Sequence, residues 1–130
     1  MELEAPDYVV LVVEDLDRAL GFYTGTLGLT LGHRSGPFAQ LDTGRTRVAL
    51  YERHAMAATI GRERIRRADR DAPGFELGFK VPDVDAAFAE LTEAGVEQVT
   101  PPTDRPWGQR TAYVRDPDGH LVEFAQDLRE

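Results

Sequence analysis

Residues 9–29, VVLVVEDLDRALGFYTGTLGL, return in altered form at residues 77–96, LGFKVPDVDAAFAELTEAGV. A shift of 68 positions takes Val13 to Val81, Asp15 to Asp83, Asp17 to Asp85, Ala19 to Ala87, Leu20 to Phe88 and Tyr23 to Leu91. Each copy has one physical grammar. An apolar strand runs into an aspartate, whose carboxylate can accept from the unpaired N–H groups of a helix start. A second aspartate falls in the first turn, where the helix dipole favours negative charge. Leu16, Ala19, Leu20, Tyr23 and Leu27 then form one apolar stripe, as do Val84, Ala87, Phe88, Leu91 and Ala94. Gly28 and Gly95 supply left-handed stops.

The segment after each helix also repeats. After the first come LTLGHR, PFAQLD and RTRVALYE, three short strands, with Asp42-Thr43-Gly44 as a hairpin tip. After the second come a short strand near 96–100, a proline-rich loop (Pro101, Pro102, Pro106) and a hairpin over 109–126 turning at Asp116-Pro117-Asp118-Gly119. The expected architecture is α+β: two tandem βαβββ modules, about 7–52 and 75–126, forming a curled mixed sheet with helices outside. Residues 53–74 connect the modules inside one domain, 1–130. The connector holds six arginines against three acids and reads as a solvated linker opening with a short helix.

Composition narrows the function. The chain has 130 residues, 42% of them hydrophobic, enough for one core. No apolar run approaches the roughly 18 residues of a membrane span, and the N-terminus lacks a signal pattern. A net charge of −8 argues against nucleic acid and anionic membrane as partners. With no cysteine there is no disulfide framework, and the cytoplasm is the expected location. Fourteen of the fifteen basic residues are arginine; Lys80 is the exception.

The paired repeat, the helix VEDLDRALGFYTGTLGL and the closing DPDGHLVEF together resemble the vicinal oxygen chelate superfamily. That superfamily includes glyoxalase I, extradiol dioxygenases, methylmalonyl-CoA epimerase and bleomycin-type resistance proteins. The resemblance runs from about Tyr8 to Gln126 and implies sheets curled into a cup. It also implies a homodimer and, in the metal enzymes, a ligand on the first and the fourth strand of each module. The matching positions here are Tyr8, Glu76, Glu123 and one near Ala49.

Strand parity reaches the same carboxylates without the resemblance. In FELGFKV, Leu77, Phe79 and Val81 make the face for the helices, which turns Glu76, Gly78 and Lys80 into the cup. In HLVEF, Val122 and Phe124 face the helices and Glu123 faces the cup. In RVALYE, Arg47, Ala49 and Tyr51 turn inward by the same rule. His120 and Glu123, at odd spacing, fall on opposite faces, and His33 and His54 read as surface residues.

The leading expectation is a glyoxalase/bleomycin-resistance-like protein that binds a small cationic or aromatic molecule in a metal-poor cup. Its candidate ligand contacts are Tyr8, Arg47, Tyr51, Glu76, Trp107, Arg110 and Glu123, with Phe38 or Tyr113 as further lining. Glu76 and Glu123 are candidate acid/base groups, because paired carboxylates in a cup raise at least one pKa. No cofactor is expected, since a catalytic metal needs about three protein ligands and no histidine occupies a matching position. The alternative is a lyase, isomerase or dioxygenase holding Mn, Fe, Ni, Zn or Mg on Glu76 and Glu123, with Tyr8 as a third ligand. A second alternative is a non-catalytic regulatory module, its cup filled by its own side chains. A purely structural reading of Glu76 has Arg47 or Arg110 hold it in a salt bridge that merely closes the cup.

Overall fold

A computed structural model describes residues 1–67 and 74–128, which fall into two compact units divided after Arg67. The connector residues 68–73 lie outside the described residues.

In the first unit, β1 (Tyr8–Val13) leads to α1 (Leu16–Leu20), and three strands come after it: β2 (Thr30–Ser35), β3 (Phe38–Asp42) and β4 (Arg47–Glu52). They form a mixed sheet in the order β1-β4-β3-β2, with β1 parallel to β4 and the other pairs antiparallel. Asp15 caps α1 by accepting from the Arg18 N–H at 3.1 Å, as its place in the repeat requires. Gly28 and Gly44 take φ of 78° and 87°, serving as the helix stop and hairpin tip. A short helix, α2 (Arg53–Thr59), opens the connector.

The first helix departs from the simple stripe. Beyond Leu20 it widens into a π-helical turn over Gly21–Thr26. The extra residue per turn brings both Phe22 and Tyr23 into the core, their rings edge to face at 4.9 Å. A regular 3.6-residue stripe buries Tyr23 but leaves Phe22 off its line. Leu11, Val13, Leu16, Ala19, Leu41, Val48 and Leu50 complete this core, each less than a twentieth exposed.

The second unit repeats the plan with β5 (Glu76–Lys80), α3 (Val84–Glu93), β6 (Gln98–Asp104), β7 (Gln109–Arg115) and β8 (Leu121–Asp127). Its sheet order is β5-β8-β7-β6, again with one parallel pair, β5 with β8. Asp83 caps α3 through the Ala86 N–H at 3.1 Å. Leu77, Val84, Leu91, Ala112, Val114, Val122 and Phe124 form the core under α3, and Phe79 stacks on Phe124 at 6.1 Å.

Two features correct the sequence expectation. The stretch expected as a proline-rich loop is strand: β6 runs through Pro101 and Pro102. It can do so because β6 is the sheet edge, where a missing N–H costs no ladder bond, and because its register with β7 shifts on both sides of Thr100. The closing turn is also more than a turn. Asp116, its side chain fully buried, accepts from the Asp118 and His120 N–H groups at 2.9 and 2.8 Å and meets His120 Nδ1 at 2.7 Å. His120, buried on the helix side, therefore anchors the start of β8. Among the described residues, no helix is long and apolar enough to cross a membrane.

Candidate functional site

The open face of the second sheet is built by alternation. Gly78 of β5 and Tyr113 of β7 lie opposite Glu123 of β8, so all three share the face turned away from α3. Gly78 has a specific reason to be glycine. A Cβ there would come within 3.0 Å of Glu123 Oε1, so the carboxylate occupies the space that a side chain would fill. On its other side, the Tyr113 hydroxyl donates to Glu123 Oε2 at 2.8 Å. Glu123 is thereby held between two strands.

Glu76 stands two residues earlier on β5, on the same face. Its side chain is exposed, but the adjoining sheet strips enough water to raise its pKa above the ordinary 4.5, and repulsion from Glu123 adds to that. The solvent still reaching the group screens that repulsion in part. Tyr113 is pushed up to about 12, first by burial, then by its hydrogen bond to Glu123 and the two nearby carboxylates. These groups form one electrostatic unit.

Two cationic side chains and a polar chain border them. Arg105 donates from Nε to Thr111 at 2.8 Å, and its guanidinium carbon lies 5.9 Å from the centre of the Tyr113 ring. Trp107 donates from its indole to Gln109 at 3.0 Å, Gln109 donates to Asp127 at 3.0 Å, and Lys80 pairs with Asp127 at 3.0 Å. A cavity of about 280 Å³ is lined by Gly78, Phe79, Lys80, Gln109, Glu123 and Ala125. Trp107 itself is 64% exposed, a free indole face beside this chain.

The open face of the first sheet is chemically different. Tyr8 of β1, Phe38 of β3 and Tyr51 of β4 contact one another in turn, edge to face, at 6.3 and 5.7 Å. The Tyr8 hydroxyl donates to Gln40 at 3.0 Å, and the Arg47 guanidinium covers the Tyr8 ring at 4.3 Å while pairing with Asp7. Ala49, where the second unit has Glu123, is fully buried and brings no donor.

Of the sequence candidates, Glu76 and Glu123 are thus brought together, and Trp107 joins their face through Gln109 and Asp127. Tyr8, Arg47 and Tyr51 form the aromatic face of the first unit. Arg110 goes elsewhere: it sits one residue out of phase with Gln109, Thr111 and Tyr113, and reaches the helix side. There it binds Asp104 at 2.7 Å and Asp85, in the first turn of α3, at 2.9 Å. Its expected pairing with Glu76 fails on that parity. His33 and His54 are exposed, as read from sequence. Sequence reasoning missed Gly78, Gln109, Asp127 and Arg105. Carrying parity across the DPDG hairpin to β7 would have found Gln109; the close approach at Gly78 leaves no local signal.

Within the second unit two carboxylates, one already accepting from Tyr113, fall short of the about three protein ligands that a catalytic metal takes. Among the described residues no group of three or more His, Cys, Asp or Glu gathers.

Comparison with known proteins matches this geometry to relatives. A Bacillus subtilis (strain 168) protein, YraH, is 36% identical over 121 residues, covering 91% of this chain and 94% of its own. A bleomycin resistance protein of Geobacillus stearothermophilus is 28% identical over 92% of this chain and 94% of its own. Among solved structures, a glyoxalase/bleomycin resistance protein/dioxygenase from Nocardioides superposes with a TM-score of 0.83 at 26% identity, covering 99% of this chain and 87% of that one. An Agrobacterium tumefaciens protein of unknown function reaches 0.82 at 32% identity, covering 98% and 97%. The model of one family matches residues 5–124, nearly the whole chain. The chain belongs to the Glyoxalase/Bleomycin resistance protein/Dioxygenase superfamily.

Proposed function

We propose that this protein binds a small molecule bearing a cationic group and an aromatic ring, and that it does so without a catalytic metal. The observation that carries the reading is Glu123, a carboxylate clamped between Gly78 and the Tyr113 hydroxyl beside a cavity, with Glu76 on the same face. A fixed carboxylate on a sheet face is a ready partner for an ammonium group, and exposed Trp107 supplies an aromatic surface. Bleomycin resistance proteins among the relatives favour sequestration over turnover. We further propose a cytoplasmic homodimer, to be checked by sedimentation.

Calorimetric titration of chelator-treated protein with benzylamine tests the reading. Saturable binding that Glu123→Gln weakens at least tenfold is the expected result. The same protein, incubated with manganese, iron, nickel, zinc or magnesium and desalted, should retain none stoichiometrically. A stoichiometric metal that both Glu76→Gln and Glu123→Gln abolish would overturn the proposal in favour of a metal enzyme.

A further inference from the structure

The cavity beside Glu123 has charges of both signs on its wall. Glu123 supplies the negative one and Lys80, the chain's only lysine, supplies the positive one. Lys80 stands two residues beyond Gly78 on β5, and Gly78 lies opposite Glu123. Two residues along a strand set the backbone positions roughly 7 Å apart.

We propose that this cavity takes an amphoteric small molecule, its ammonium end on Glu123 and an anionic end on Lys80. The inference rests on the proposed role of Glu123 as cation contact and adds a second, opposite contact. At about 280 Å³ the cavity sits at the small end of ligand pockets, enough for one ring with short arms.

The surroundings place the ammonium there without saturating it. Asp127 holds Lys80 at 3.0 Å and is itself fixed by Gln109 at 3.0 Å, which in turn is tethered to Trp107. A lysine ammonium has three donors, and Asp127 engages one of them. The Lys80 side chain is 71% exposed and that of Asp127 45%, so the pair is weak enough for an incoming anion to share the ammonium. Lys80 and Asp127 also border a second cavity, of about 390 Å³, with Val81, Pro82 and Gln126. A ligand that carries only positive charge would meet Lys80 as a like charge across the same small cavity. An anionic arm removes that repulsion and turns it into attraction.

Two probes differing by one carboxylate test this: benzylamine and 4-(aminomethyl)benzoate. The wild-type protein should bind the zwitterion about threefold to fivefold tighter, the upper part of the range for one exposed ion pair. Lys80→Met should erase that preference by weakening the zwitterion, while benzylamine, relieved of a like charge, should bind at least as tightly as to wild type. Lys80→Glu should shift the preference to 1,4-bis(aminomethyl)benzene. If benzylamine binds and depends on Glu123, yet the carboxylate adds nothing or Lys80→Met leaves the preference intact, the inference is overturned and the cation reading stands. If neither probe binds, both fall.

Discussion

Gly78→Ala separates folding from binding, because the glycine is needed for a neighbour's side chain rather than for its own backbone. The φ at Gly78 is not positive, so alanine fits the strand without strain. Replacing glycine at such a position stabilises by about 0.4–1 kcal/mol through the unfolded chain. The new Cβ, however, lands 3.0 Å from Glu123 Oε1, whereas ordinary contact begins at 3.4 Å. The carboxylate must give by a few tenths of an ångström, and it is the flexible end of its side chain, so the sheet need not. That movement disturbs the 2.8 Å bond from Tyr113, whose kind is worth about 1.5–3 kcal/mol when the acceptor is charged. The site is part-buried, so the lower half of that range applies, about 1.5–2 kcal/mol. Against the backbone gain, net stability changes by about 1 kcal/mol. A cationic ligand meeting a displaced carboxylate should lose roughly 5- to 30-fold in affinity. Thermal melting and benzylamine calorimetry on the same sample read both numbers. A variant that melts normally and binds as tightly as wild type would refute the idea that Gly78 positions Glu123.

The charges carry further predictions. Because the folded pKa of Glu76 lies above its ordinary 4.5, the folded state holds the proton more tightly, and stability falls as pH rises from 4.5 through the folded pKa. Glu76→Gln should therefore raise the melting temperature at pH 7 and leave it unchanged below 4.5, and a pH-independent gap would count against this. Glu14 behaves oppositely: the Arg53 guanidinium, bonded to it at 2.6 and 3.0 Å, lowers its carboxyl to about 2. Its stabilisation is present above 4.5 and lost as pH falls toward 2, so Glu14→Gln should melt lower at neutral pH, with the gap closing in acid. Phenolate absorbance should place Tyr113, identified by its loss in Tyr113→Phe, at about 12, and Glu123→Gln should lower it only in part, because burial, the larger cause, remains. Asp116→Ala strands one buried and one part-buried N–H group and the His120 ring, and should cost about 3–5 kcal/mol by chemical denaturation.

Legibility in the sequence tracked the range of the interactions. The caps at Asp15 and Asp83 and the stops at Gly28 and Gly95 act within one turn, so residue type and position sufficed. The face of Glu123 was also readable, because alternation is a property of the strand itself. The π-helical turn was not, because burying Phe22 beside Tyr23 is a gain in packing that no local preference announces. Nor was β6, whose prolines are tolerated only because that strand ends up at an edge. Asp116 looked like a turn residue and is one, but its grip on His120 needed the burial of both. In the site, Gly78 read as one more position of an alternating strand. Its meaning depends on which residue β8 places opposite it.

The two units agree on one face of their repeated strands and differ on the other. On the helix-covered face the repeat keeps apolar residues: Leu11 answers Phe79 and Val13 answers Val81. Those positions must fill a core, so any polar replacement costs free energy whatever the protein does. The open-face positions have parted: Tyr8 against Glu76, Val10 against Gly78, Val12 against Lys80, Ala49 against Glu123. Four residues of the acidic face, Glu76, Gly78, Lys80 and Glu123, stand where the first unit has an aromatic or aliphatic side chain, whereas Tyr113 answers the polar Gln40. The glycine stands opposite the carboxylate, and a Cβ at position 78 would come within 3.0 Å of Glu123 Oε1. We place the proposed ligand site on the open face of β5–β8, where the glycine leaves the carboxylate its space.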